Sequence, residues 1–206
     1  MQPKPSALIE TNAVLNCHLI SSCKNAVRQL LFHKGNDIRK TWDGSLLTWK
    51  KKYGVPPGVL IAIWGMESGF GRFTGNQHTV SAVATLAYDC RRSAFFTEQL
   101  YALLQMIQKG WISPDFRGAA HGEIGQTQFL PANVLRYGAN GDANRRVDLS
   151  NQFDALASTA NFLKGKGWRR GAGYQQGQTN FRAIKAWNAA GVYQKAIAAI
   201  AAEIDK

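Results

Sequence analysis

Acidic residues, cysteine and long apolar stretches are all scarce in this chain of 206 residues. There are 13 Asp and Glu against 25 Lys and Arg, a formal net charge of +12. That imbalance favours an anionic partner: nucleic acid, an acidic lipid surface or an acidic polysaccharide. Charge alone does not choose among them, but no basic-aromatic motif of a nucleic-acid reader is present, so no nucleic-acid partner is expected. Three cysteines, Cys17, Cys23 and Cys90, are too few and too irregular for a disulfide framework or a zinc site. They are read as inert or as forming at most one bond. No apolar run approaches the ~20 residues of a membrane-spanning helix. The start, MQPKPSALIETNAVLNCHLISSC, lacks a charged opening followed by a clean apolar stretch, so it does not read as a secretory signal. A trimmed chain, a misassigned start and an intracellular protein all remain open on that ground.

What is present is globular. Hydrophobic residues make up 45% and charged residues 18%, enough for one compact domain with a real core. Pro56 and Pro57 suit the first turn of a helix, where a missing N–H costs nothing, so a helix is expected to open there and run through GVLIAIWGMES, ending at Gly69 or Gly71. It is apolar nearly all round, as a buried helix is. Helical spacing also appears over 14–32, 46–53, 79–87, 95–108, from Pro131, over 153–166 and from Tyr193 to Ile204. Between these lie a glycine-rich segment, RGAAHGEIGQTQFLP, which implies tight turns or a small hairpin, a polar loop over 137–148 and a flexible spacer over 171–178. The class is mainly α, with a small β or irregular insert near the middle.

One carboxylate is oddly placed. In AIWGMESGFGRF, Glu67 falls at the C-terminal end of the buried helix, among Ile63, Trp64, Met66 and Phe70. Apolar neighbours and the negative end of the helix dipole both disfavour its charged form. A carboxyl still protonated near neutrality is what a general acid needs. The plainer alternative is a cap, or a pair with Arg72.

The stretch YGVPPGVLIAIWGMESGFGRFTGNQHTVSAVATLAYDCRR, with GEIGQTQFLP, FDALASTANFLKGKGWRRG and IKAWNAAGVY after it, resembles the lytic murein transglycosylases of the membrane-bound lytic transglycosylase B (Slt35-type) family. The resemblance covers about 53 to 200, leaving 1–52 as a poorly matched N-terminal helical segment and 53–206 as the catalytic domain. It implies a lysozyme-like (α+β) fold with a helical lobe around a cleft. It further implies cleavage of the bond between N-acetylmuramic acid and N-acetylglucosamine in peptidoglycan, leaving a 1,6-anhydromuramyl end. Glu67 is the single catalytic residue it implies. The implied setting is the bacterial cell envelope, usually the periplasm; we expect a monomer without cofactor, with peripheral contact to membrane or cell wall.

Other positions are carried over from the same motifs as substrate-binding. Gln128 matches the cleft glutamine of QF-x-P; a hairpin amide bonded to backbone is the alternative. Arg91 and Arg92 match an arginine pair that can meet carboxylates of the muramyl peptide, or simply be solvated. Trp187, Asn188 and Tyr193 match the tail motif, with Trp187 where tyrosine is common and a hydroxyl contact therefore lost. Phe162 also stands where tyrosine is frequent, and core packing is the competing reading for it and Trp187. Glu123 replaces a small residue and is either a substrate-side or water-activating carboxylate, which would make the enzyme a hydrolase, or a partner for a basic residue. Ala119 stands where relatives commonly carry serine. The loop NGDANRRVDLSN, where some relatives bind calcium, is short of acids and carries Arg145 and Arg146, so no metal is expected. A hydrolytic muramidase and a glycan-binding protein on a weakened enzyme scaffold are the rival functions.

Overall fold

A computed structural model describes residues 26–206. Its helices are α1 Ala26–Thr41, α2 Asp43–Tyr53, α3 Pro57–Ser68, α4 Thr79–Tyr88, α5 Ser93–Gln108, α6 Pro131–Tyr137, α7 Gln152–Gly165, α8 Phe181–Trp187 and α9 Gly191–Ile204. Two-residue strands, β1 Gln77–His78 and β2 Arg117–Gly118, pair antiparallel with Gln77 opposite Gly118. A further bridge joins Ile124 to Phe129. The mainly helical class with a small β insert is what the structure shows.

Helix α3 is the axis of the core. Its N-cap is Pro56, Pro57 opens it, and Gly69 closes it at φ 59°, its N–H donating to the Gly65 carbonyl while the Phe70 N–H reaches the Trp64 carbonyl. Val59, Leu60, Ile61 and Ile63 are fully buried. Helix α9 lies along it, contributing Ile197, Ala201 and Ile204. Just past α9, Asp205 accepts a hydrogen bond from the Gly58 N–H at 2.8 Å, and Tyr174 Oη donates to its other oxygen at 2.7 Å. A carboxylate there complements the positive end of the α3 dipole and satisfies an orphan N–H. Gly58 is required: a Cβ would lie 2.4 Å from the Ala201 carbonyl oxygen.

The N-terminal helices share this core. Trp42, between α1 and α2, stacks on Trp64 at 5.3 Å and meets Phe153 of α7 at 4.9 Å. The helix expected over 14–32 lies in part outside the described residues, and the described portion runs on to Thr41. Helix α8 carried no strong signal; seven residues give barely two turns of pattern. The 171–178 spacer is fastened: Asn180 Oδ1 accepts from Arg169 N–H at 2.7 Å, and its amide donates to the Arg169 and Ala172 carbonyls, each at 2.8 Å. Cys90 is an exposed free thiol; Cys17 and Cys23 lie outside the described residues.

Candidate active site

Glu67 is the penultimate residue of α3, and the helix presents its carboxyl to the chain's C-terminal part. Trp187 Nε1, at the end of α8, donates to Glu67 Oε1 at 2.8 Å. Tyr193 Oη, in the first turn of α9, donates to the same oxygen at 2.8 Å. Among the described residues no protein donor reaches Oε2. Burial pushes the Glu67 carboxyl from its ordinary 4.5 up to about 7; the two hydrogen bonds pull it down and the nearby charge of Glu123 adds to the rise. Two donors on Oε1 leave Oε2 as the oxygen that carries the proton. Tyr193 stays a phenol, because burial first and the Glu67 charge second raise it well above its ordinary range. Arg72 is exposed, and among the described residues no ion pair joins it to Glu67, so the pairing alternative is not realised.

The glycine-rich segment 117–129 is tied to the C-terminal end of α3. Ser68 Oγ donates to the Gln126 carbonyl at 2.5 Å and accepts from the Gly71 N–H at 2.9 Å. Trp64 Nε1 donates to Gln126 Oε1 at 2.9 Å. Gly71, at φ 82°, passes so close that a Cβ would sit 2.4 Å from Gln126 Oε1, which only glycine allows. Ile124 and Phe129 exchange backbone hydrogen bonds at 2.7 and 3.0 Å across a tight turn. At its tip Gln128 adopts φ 56°, an unusual conformation for a non-glycine residue. Its Nε2 donates to the Gly125 carbonyl at 2.8 Å and towards Thr74 at 3.5 Å. The backbone-bonded reading therefore holds for Nε2, while Oε1 has no protein partner among the described residues.

These features coincide with independent similarity. A family model described as a transglycosylase SLT domain matches residues 18–179. The chain belongs to that family. It is also 32% identical over 121 residues to the membrane-bound lytic murein transglycosylase B of Escherichia coli (strain K12), a match covering 58% of this chain. The chain spans about a third of that relative's length, 34%. Its fold matches Pseudomonas aeruginosa SltB3 in complex with NAG-NAM-pentapeptide, with a TM-score of 0.81 and 27% identity over 98% of this chain and 71% of the other. It also matches Escherichia coli Slt35 in complex with bulgecin A, at TM-score 0.78 and 21% identity over 86% and 76% of the two chains.

In this SLT domain the remaining expected positions divide. Glu123 is half-buried, and both of its oxygens are used: Oε1 lies 3.2 Å from His121 Nδ1 and Oε2 accepts the His121 N–H at 3.0 Å. Burial works to raise its pKa, but the hydrogen bonds to His121 and to backbone outweigh it, leaving the carboxyl below its ordinary range. The alternative of a basic partner is the one realised. Phe162 is corrected from a sugar contact to a core residue: it is 4% exposed, packed edge-on against Phe129, Tyr137 and Trp187. Trp187, at the position where a hydroxyl was expected to be lost, offers its indole N–H to Glu67 instead. Arg91 is spent on Asp89 at the exposed turn before α5, and Arg92 lies over the rings of Phe95 and Phe96, at 5.3 and 5.2 Å. Asn188 Oδ1 accepts the Ala190 N–H at 2.9 Å, which leaves its NH₂ for other contacts.

Over 140–151 the backbone is organised by Asp154, a fully buried carboxylate accepting the Gly141 and Asp148 N–H groups at 2.6 and 2.8 Å. Asp142 accepts from the Asn144 and Asn151 amides, at 2.9 and 2.8 Å. Among the described residues no group of three or more His, Cys, Asp or Glu is placed to hold a metal. A groove of about 640 Å³ between α5 and α6, lined by Glu98, Tyr101, Gln105, Ala132, Leu135 and Arg136, is lined by none of the Glu67 partners. Ser68, Trp64 and Gln126 were not foreseen as supports of the site. The serine directly after Glu67 and the glutamine two before Gln128 are the signals that pointed to them.

Proposed function

We propose that this domain is a lytic transglycosylase that cleaves the β-1,4 bond between N-acetylmuramic acid and N-acetylglucosamine in peptidoglycan, using Glu67 first as acid and then as base. The observation that carries the reading is the Glu67 carboxyl itself, half-ionised near neutrality, with Oε1 fixed by Trp187 and Tyr193 and Oε2 left to the substrate. The Oε2 proton passes to the glycosidic oxygen as the bond from the muramyl C1 breaks. The substrate's own acetamido carbonyl stabilises the cation at C1. Glu67, now ionised, takes the proton of the muramyl C6 hydroxyl, and O6 closes on C1. No water enters, and the carboxyl returns to its starting state.

Gln128 Oε1 and the Asn188 amide offer the acceptor and donor that acetamido groups require. A monomer without cofactor, acting at the bacterial cell envelope, agrees with this chemistry. The murein named in the curated relative and the net positive charge, which suits an anionic wall, support the envelope setting. Among the described residues no helix is long and apolar enough to cross a membrane.

Hydrolysis by a second carboxylate is the competing reading, because Glu123 is close enough for its charge to act on Glu67. Its two oxygens are committed to His121, and its pKa is held low, which leaves it poorly suited to activate water. Glu67→Gln keeps the neutral shape of the acid but cannot donate its proton. Incubated with purified murein sacculi, it is expected to bind them as the wild type does and to release no soluble fragments. Release at the wild-type rate rejects Glu67 as the catalytic group.

A further inference from the structure

His121 and Glu123 form a two-point dyad on the segment that covers the C-terminal end of α3. The carboxylate holds the residue twice, through the ring Nδ1 at 3.2 Å and through the main-chain N–H at 3.0 Å. The main chain beneath is fixed as well. The Glu123 carbonyl accepts the Ala119 N–H at 3.0 Å, and Gly122 is wedged so tightly on α4 that a Cβ would lie 2.1 Å from Val83 Cγ2. An imidazole gripped at Nδ1 has one free atom, Nε2, and among the described residues nothing bonds it. The His121 side chain is 35% exposed and the Glu123 side chain 23%, so the carboxylate is the sheltered member and the ring the outward one. Carboxylate-held imidazoles of this form have their tautomer and ring orientation fixed by the second partner.

We propose that His121 is a substrate-binding residue of the Glu67 site, with Nε2–H donating to the acetamido carbonyl oxygen of a bound N-acetylated sugar, and that Glu123 is the positioning residue that orients it. The inference rests on the glycan-strand reading above. A neutral acceptor suits the dyad better than an anion does, because imidazolium and carboxylate together carry no net charge. The charged groups that act on the ring are Glu123 on its own segment and Arg92 at the start of α5. Where Gly122 meets helix α4, the nearest side chains are the uncharged Val83 and Thr79. The Glu123 hydrogen bond raises the pKa of His121 above its ordinary 6.5, with burial and Arg92 opposing. The donor at Nε2 thus persists to higher pH than in a free imidazole. Once the ring is neutral, the proton stays on Nδ1 towards Glu123, and Nε2 turns from donor to acceptor.

The test uses the Glu67→Gln protein, so that Glu67 no longer titrates, with the N-acetylglucosamine tetramer as ligand and calorimetric titration from pH 5 to 9. The tetramer is expected to bind with a plateau extending above pH 6.5 and then to weaken. Adding His121→Ala is expected to weaken binding about tenfold on the plateau, as loss of a charged hydrogen bond does, and to abolish the pH dependence. Adding Glu123→Gln is expected to leave binding at low pH nearly intact and to move the fall to lower pH by about one unit. The second variant keeps the test alive if the first melts early. Unchanged affinity and unchanged pH dependence in both variants overturn the role of the dyad while leaving the glycan reading standing. A Glu67→Gln parent that binds neither tetramer nor sacculi overturns the glycan reading, and this inference with it.

Discussion

Trp187 Nε1 and Glu67 Oε1 lie 2.8 Å apart across 120 residues of sequence. The indole N–H stabilises the carboxylate form, so it opposes the burial that favours the acid. Trp187→Phe removes the donor and keeps most of the ring packing on Phe129 and Phe162. The Glu67 pKa is then expected to rise by roughly half to one unit, moving the alkaline limb of the activity profile upward. A pH series of murein solubilisation reads this; a limb that stays or moves down contradicts the assignment of that hydrogen bond.

Glu67 also costs stability when ionised. Its folded pKa of about 7 exceeds the ordinary 4.5, so between those values the native state holds a proton that the unfolded chain has released. Stability therefore falls as pH rises from 4.5 to 7 and is flat above. Glu67→Gln escapes this loss. It is expected to match the wild type below pH 4.5 and to exceed it by about 3 kcal/mol at pH 8, seen as a higher Tm. Equal melting temperatures across that range mean that the carboxyl is not held in its acid form.

Asp205 caps α3 from the far end of the chain. Asp205→Ala leaves the Gly58 N–H and the Tyr174 hydroxyl without their acceptor and is expected to cost about 1–2 kcal/mol. Activity per folded molecule should hold, because the cap acts at the opposite end of the helix from Glu67. Thermal melts and rates measured on the same sample separate the two effects.

Phe162 distinguishes a core residue from a sugar platform. Phe162→Ala empties a buried site between Phe129, Tyr137 and Trp187 and is expected to cost about 3–5 kcal/mol. Phe162→Leu, which retains most of the volume, should keep the binding of the N-acetylglucosamine tetramer. Loss of binding without loss of stability in the leucine variant points instead to a direct sugar contact.

The helices were legible where the pattern was long. Val59 to Ile63 and the flanking prolines and Gly69 announce α3 with both its ends, and the Ile197 to Ile204 stripe announces α9. The placement of Glu67 at the end of a buried helix was enough to foretell a carboxyl with a raised pKa. Its donors were not foretold as donors: Trp187 and Tyr193 read as sugar-facing aromatics, because no local pattern shows that a ring 120 residues away bonds a carboxylate. Phe162 was carried over as a substrate contact from the family motif, which fixes a position but not whether neighbours bury the ring, and the competing core reading is the one its 4% exposure favours. The His121–Glu123 pair was visible only as a lone acid among glycines; the two-residue separation becomes a contact because the turn at Gly122 folds the side chains together. Asp205 and Asn180 are invisible to periodicity altogether, being single polar residues whose value lies in the backbone groups they reach.

The mass of the fragments released from purified sacculi tests the central chemistry most directly. If Glu67 hands its proton to the leaving oxygen and recovers one from the muramyl C6 hydroxyl, the released muropeptides are lighter by one water than hydrolysis products and have no reducing end. Reducing-end products of full hydrated mass, formed by the wild type and lost in Glu123→Gln, would contradict the account.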